Sequence, residues 1–365
     1  MIPEKSPIPT QMSIAKALGV SRVTVSHVLS GREAHRYNEE TRRRILTAAQ
    51  EMGYRPNRAA QVMRKGRSNL IGIIHFGTAY HIARQAAHYL PQAINQLGFE
   101  TFVVDLSWHG ECHKRVLEHL IDARVEGVII SHMVESFDRK EVEILTQAGI
   151  PAVTFAGKET LGIPALYADT ASAFRDLVIH LAQLGHRELL LLTNDYQSRT
   201  TQSRIAGFQE GLQRTAQFGV TGSLQQLPAD RTNFDVSASA YEHVRKLIQR
   251  NALPDAILCT NDQWARGVFA AALEAGLEIP RDLAVTGFDN EPFGSRAPYH
   301  LTTATPNVGE ECEQAVAILA KMMAGLPLPK QVFVCPCELL IRRSCGANGE
   351  LSPPATTTPQ ATQIT

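Results

Sequence analysis

Over the first 55 residues, apolar positions recur three and four apart in three short stretches, each bracketed by residues that start and stop helices. Thr10 can cap a helix that carries Ile14, Ala15 and Leu18 inward and ends at Gly19. Ser21 can cap a second, closed by Gly31, and Asn38 a third, "EETRRRILTAAQEM", stopped by Gly53. The second stretch, "GVSRVTVSHVLSG", puts Val25, Val28 and Leu29 on one helical face and Arg22, Val23, Ser26 and His27 on the other. The third supplies Ile45, Leu46, Ala49 and Met52 as the apolar surface for the first of those faces. Two helices joined by a tight "GVS" turn and supported by a third predict a helix-turn-helix unit.

From Leu70 the period changes. "LIGIIHF", "ETFVVDL", "VEGVIIS" and "IPAVTFA" form one series of strand-length apolar runs, and "RELLLLT", "DAILCTN" and "DLAVTGFD" form a second. Amphipathic helical stretches such as "HIARQAAHYLPQAINQLG" separate them. Strand-helix alternation predicts parallel sheets covered by helices on both faces, and two series predict two such lobes. The expected architecture is an all-α helix-turn-helix head followed by an α/β body of two doubly wound lobes. The tail, 346–365, is rich in Pro and Thr, lacks any apolar period and is expected to be disordered.

Composition bounds what such a chain can do. Its 365 residues, 44% apolar and 20% charged, are enough for two or three domains with sizeable cores. The longest apolar runs fall far short of the ~20 residues of a membrane span, and "MIPEKSPIPTQ" lacks the apolar centre of a signal peptide. A cytoplasmic location with no membrane contact is therefore expected. The formal net charge of 0 conceals an asymmetry: residues 1–68 hold 13 Lys/Arg against 5 Asp/Glu, and the remainder holds 23 against 31. A basic head on an acidic body points to a polyanionic partner, because clustered Lys and Arg displace condensed counterions from a phosphate backbone. Cys335, Cys337 and Cys345 have no nearby His and no zinc spacing, so they read as strand and loop thiols, and no metal or cofactor is expected. The chain has no Gly-x-Ser-x-Gly elbow, no phosphate-binding Gly-rich loop with Lys-Ser/Thr and no His-Glu-x-x-His helix, which argues against an enzyme.

Several separated motifs then occur in one order: "SIAKALGVSRVTVSHVLSG", "GYRPN", "HLAQLGHRELLLL", "RIAGF", "PDAILCTND", "EIPRDLAVTGFDN", "LTT" and "LLIRRS". Together, from about Thr10 to Ser344, they resemble the LacI/GalR family of bacterial transcription regulators, whose body is similar to a periplasmic sugar-binding protein. The resemblance implies a DNA-binding domain over 1–56, a hinge helix over 57–68 and a ligand-binding and dimerisation domain over 69–345. Within that domain it implies an N-lobe of about 69–168 and 300–328 and a C-lobe of about 169–298 and 330–345. It places Arg22, Val23 and His27 at base-reading positions in the DNA major groove, and Ser21, Thr24 and Ser26 near phosphates. The chemistry agrees, since Arg can chelate guanine, Val can meet a thymine methyl and His can donate to a purine edge. The segment "NRAAQVMRKGRS" resembles the family hinge, with Met63 where an apolar side chain wedges a minor-groove base step.

For the body, the resemblance implies a cleft between the lobes at the C-terminal ends of the strands. By position Arg204, Asn261 and Asp289 would grip an effector from the C-lobe and His75 and Phe76 from the N-lobe. Trp108, Tyr196 and Trp264 would offer apolar faces beside them. Polar forks with aromatic platforms suit a saccharide or polyol. The implied protein is a repressor that binds a pseudopalindromic operator as a homodimer, with operator affinity set by a small ligand. Control by a partner protein is the alternative.

Overall fold

The helix caps of the head fall where the polar residues predict them. The computed structural model describes residues 9–31, 34–55, 66–75, 81–106, 113–131, 137–155, 161–195, 198–228 and 236–346, and divides the chain into two units, 1–68 and 69–365. Thr10 Oγ1 accepts from the Ser13 amide and Ser13 Oγ accepts from the Thr10 amide, a reciprocal cap on α1 (Gln11–Leu18). Ser21 starts α2 (Arg22–Ser30) by accepting from the Thr24 amide at 3.0 Å, and Asn38 starts α3 (Glu39–Glu51) by accepting from the Thr41 amide at 2.8 Å. Between α1 and α2, Gly19 has φ +66°, a left-handed conformation that other side chains resist, and this keeps the turn short.

Ile14, Ala15, Val25, Val28, Ile45 and Ala49 form the core of the head, with Leu18, Leu29, Met52 and Tyr54 packed around them. Each large aliphatic residue there contributes about 1.5–3 kcal/mol by leaving water. Leu46 departs from the expected core, being 51% exposed. Ile45 and its partners Ala49 and Met52, four and seven residues on, define the inward stripe, and Leu46 lies about 100° further round the helix.

The N-lobe sheet contains β1 (Leu70–His75), β2 (Glu100–Asp105), β3 (Gly127–Ser131), β4 (Ala152–Phe155), β5 (Ala165–Ala168) and β11 (Val332–Cys335). Their spatial order is β11-β5-β4-β3-β1-β2, with every pairing parallel. Helices α4 (His81–Gln96), α5 (His113–Asp122) and α6 (Arg139–Gln147) connect its strands. The C-lobe begins with α7 (Thr170–Gln183) and adds α8 (Arg199–Thr215), α9 (Ser237–Gln249) and α10 (Asp262–Glu274). Its strands are β6 (Glu188–Asn194), β7 (Thr221–Leu227), β8 (Ala256–Cys259), β9 (Ala284–Phe288), β10 (Thr302–Pro306) and β12 (Cys337–Leu340). They lie in the order β12-β10-β9-β8-β6-β7, and only β12 runs antiparallel to its neighbour.

The chain passes between the lobes three times: after β5, after β10 and between β11 and β12. After the second passage, α11 (Val308–Met323) packs into the N-lobe core through Val308, Cys312, Ala315 and Leu319. This shifts the division implied by sequence. Residues 302–306 pair with β9 and so belong to the C-lobe rather than the N-lobe, and residues 332–335 pair with β5 and so belong to the N-lobe. Both are strands of four or five residues whose side is decided by register against distant partners. Among the described residues no helix is long and apolar enough to cross a membrane.

Candidate functional site

On α2 the two faces separate cleanly. Val25 and Val28 are buried, Arg22 and Val23 are exposed, with Val23 at 58%, and Thr24, Ser26 and His27 are half-buried. An exposed Val beside an exposed Arg at a helix start has no packing role among the described residues of the head. Nδ1 of His27 lies 3.0 Å from the Tyr37 hydroxyl, which fixes the plane of the imidazole. Ser21 Oγ is the helix cap and also lies 2.9 Å from Thr24 Oγ1, so the two hydroxyls sit together at the positive end of the α2 dipole, where an anion is favoured.

In the body, polar residues gather where apolar strands end. His75 closes β1, is buried, and has no hydrogen-bond partner for either ring nitrogen among the described residues. Burial holds its pKa below the usual imidazole value, against the opposing pull of Asp105. In the C-lobe, Arg204 reaches from α8 to donate from Nη1 to the Thr260 carbonyl at 2.6 Å, and its guanidinium lies 4.3 Å from the centre of the Phe288 ring. Asp289 follows directly with φ +110° and is buried. Burial pushes its carboxyl up to about 7, opposed by the charge of Arg204, reinforced by Glu291 and opposed again by Arg84. Asn261 caps α10, its Oδ1 accepting from the Trp264 amide at 3.0 Å.

Under this floor lies a second set of acids. Asp262 is wholly buried, accepts from Thr303 Oγ1 at 2.7 Å and from the Glu291 amide at 2.6 Å, and is held well above the usual carboxylate range, first by burial and then by Asp289. Glu291 Oε1 accepts from Gln263 Nε2 at 3.0 Å, and both Glu291 oxygens accept from Arg84 Nη2 at 3.2 and 3.3 Å. Arg84 belongs to α4 of the N-lobe, so this contact joins the lobes.

The structure therefore brings Arg204, Asp289 and Asn261 to neighbouring strand ends of the C-lobe and leaves His75 at the matching end of the N-lobe. Met63, Phe76, Trp108 and Tyr196 lie outside the described residues. Trp264 is a correction: it is wholly buried in the C-lobe core with Leu192, Ala265, Val268 and Leu283 and offers no face to a ligand. Arg84, Gln263 and Glu291 were not singled out by sequence. No local signal marks them, since the Arg84–Glu291 contact spans 207 residues. No group of three or more potential metal ligands occurs among the described residues.

Asp289 makes the stability of the fold depend on pH. A carboxyl whose folded pKa of about 7 stands above its ordinary 3.8 contributes stability below pH 4, and that contribution is lost as the pH rises to 7. At about 1.4 kcal/mol per unit, the loss reaches roughly 4 kcal/mol. Asp289→Asn should accordingly melt increasingly above the parent between pH 5 and pH 8, read by thermal unfolding. A melting gap independent of pH would show that Asp289 ionises as freely as a surface carboxylate.

Residues 12–57 match the family described as bacterial regulatory proteins, lacI family, and residues 178–345 match the periplasmic binding protein-like domain. The chain is 27% identical over 337 residues to the HTH-type transcriptional regulator DegA of Bacillus subtilis, covering 92% of this chain and 97% of that one. It is 29% identical over 296 residues to the lactose operon repressor of Escherichia coli, covering 80% and 79%. A crystal structure of the Lac repressor dimer bound to operator and the anti-inducer ONPF superposes with a TM-score of 0.78 at 26% identity, covering 93% of this chain and all of that one.

Proposed function

Because the chain belongs to the lacI family of DNA-binding transcriptional regulators, we propose that it is a repressor whose hold on its operator is set by a saccharide or polyol in the interlobe cleft. The observation that carries the ligand half of this reading is the Arg204 guanidinium, held on the Thr260 carbonyl with its charge acting on the buried Asp289. A guanidinium and a buried, half-neutral acid at adjoining strand ends can donate to and accept from ligand hydroxyls at once. His75, whose ring nitrogens have no partner among the described residues, is the N-lobe counterpart. A ligand held by both lobes binds one lobe arrangement better than another, and only such a difference can alter affinity for DNA.

The DNA half rests on the exposed face of α2. Arg22, Val23 and His27 read bases, Ser21, Thr24 and Ser26 hold phosphates, and Met63 of the hinge wedges the minor groove. One such helix reads only a few base pairs, so two copies are needed on a pseudopalindromic site. Phe102 and Val103 on β2 and Leu224 on β7, each at one edge of its sheet, keep exposed apolar side chains that a second copy would cover. Such a regulator works in the cytoplasm.

His27→Ala should relax base preference at one symmetric pair of operator positions by about 1–3 kcal/mol. Tyr37→Phe, which frees the ring that Tyr37 orients, should do the same more weakly. Binding to a set of singly substituted operators measures both, and a uniform loss at every position would remove His27 from the reading face. The function itself is tested by titrating the purified protein with a panel of sugars and polyols while following operator affinity. Response to none of them, with response restored by cell extract, would favour control by a partner protein.

A further inference from the structure

Glu291 is the most strongly committed carboxylate between the lobes. Its side chain is only 7% exposed, and its own lobe prepares it from two directions: Gln263 Nε2 donates to Oε1, and the Glu291 amide is fixed on Asp262. The cation comes from the other lobe. Arg84 Nη2 bridges both oxygens at 3.2 and 3.3 Å while its side chain stays 44% exposed, and His81 Nδ1, also on α4, lies 3.7 Å from Oε2. The two partners thus differ. Arg84 already borders water while Glu291 is buried, and a buried carboxylate that loses its cation is strongly destabilised. A contact of this kind is either made or broken, with little stable ground between.

We propose that Arg84 and Glu291 are a cross-cleft latch, a positioning pair made in the lobe arrangement described here and broken when the lobes turn, which sets the balance between the two arrangements. The pair also reaches the ligand floor. Asp289 lies two residues before Glu291, and the charges of Arg84 and Glu291 act on it with opposite sign. A ligand that engages Asp289 therefore acts beside the latch, and the latch ties α4 to the C-lobe wall of the cleft. This inference builds on the reading of the body as a two-lobed sensor, but the latch can be tested without operator or effector.

The experiment measures the distance between spin labels at Lys114→Cys in the N-lobe and Leu273→Cys in the C-lobe, both exposed positions, in full-length protein with Cys112 and Cys337 replaced by Ser. Arg84→Met, Glu291→Gln, the double variant and the exchanged pair Arg84→Glu with Glu291→Arg are compared. Each single variant is expected to raise the population of a second distance at least fivefold, the double variant to match the singles, and the exchanged pair to return towards the parent. Because Glu291→Gln keeps the shape of the side chain and can still meet Gln263, it separates loss of the latch from loss of packing. Unchanged distances in both singles, or a double variant equal to the product of the singles, would overturn the latch. Operator affinity of the same proteins, on duplexes selected from random DNA by the parent, distinguishes the two readings. A distance shift without an affinity shift keeps the latch and counts against the allosteric reading of the body.

Discussion

Arg204→Ala should abolish the response to the effector while leaving operator binding by the unliganded protein at the parental level. The guanidinium reaches from α8 to the C-lobe strand ends, where it touches the floor through the Thr260 carbonyl and acts on Asp289. Removing a half-buried charged donor from a ligand site leaves ligand oxygens unpaired and the neighbouring buried acid without its counter-charge, which together amounts to about 3–5 kcal/mol, more than a hundredfold in affinity. Asp289, already held up to about 7 by burial, would be driven further towards its neutral form, since Arg204 is the largest influence favouring the ionised one. The head has its own core in residues 14–49 and does not depend on this site for its fold. The check is operator affinity with and without the sugar found by titration. A variant that responds at the parental concentration would mean that the effector binds elsewhere.

A large loss of stability is expected from Gly207→Ala. Gly207 lies on the face of α8 that meets α7, and a Cβ there would overlap the Ala171 carbonyl oxygen, a backbone atom that cannot swing aside. Gly211, one turn on, is similarly close to α7: its Cβ would lie 2.6 Å from Cβ of Val178 and 3.0 Å from the Arg175 carbonyl. The two helices approach at nearly backbone distance because both positions lack a side chain. Inserting one forces α8 away from α7 and opens the packing of Phe174, Val178, Ile205 and Phe208. Overpacking commonly destabilises by 1–3 kcal/mol, and backbone opposition places this case at about 3 kcal/mol or above, a fall in melting temperature of roughly 6–12 °C. Gln209→Ala, on the exposed side of the same helix, should stay within about 0.5 kcal/mol of the parent. Because Arg204 rides on α8, Gly207→Ala should also weaken the effector. Equal melting of the two variants would show that α8 can shift without loss.

What sequence conveyed was local. Thr10, Ser21 and Asn38 act as caps because a cap needs only the amides two or three residues ahead of it. The strands ending at His75 and Phe288 were legible as apolar runs bounded by polar residues. β5, β7, β11 and β12 were not: they are short or polar, as in "ALYA" and "TGSLQQL", and are held in place by partners remote in sequence. Trp264 shows a signal that was present and outweighed. Trp264, Ala265, Val268, Ala271 and Ala272 form one helical stripe, which marks the Trp as a core residue even though it follows a polar strand end. Arg84 and Glu291 had no such stripe to betray them. An ion pair between lobes depends on the angle at which two separately folded sheets meet, and no window of sequence contains that angle.

The threefold passage of the chain between the lobes also governs the order in which the protein can be made. The N-lobe core requires Val308, Cys312 and Phe333, and its sheet is unfinished until β11 has been synthesised. At roughly 5–20 residues per second, a ribosome spends about 8 to 33 seconds between β5 and β11. Throughout that interval the nascent N-lobe has an open sheet edge at β5 and an uncovered apolar face where α11 will lie. The C-lobe, whose strands β6 to β10 emerge in one continuous stretch, can largely assemble first, and the head earlier still. Chaperone dependence during synthesis should therefore concentrate on the N-lobe, the part made soonest after the head and completed almost last.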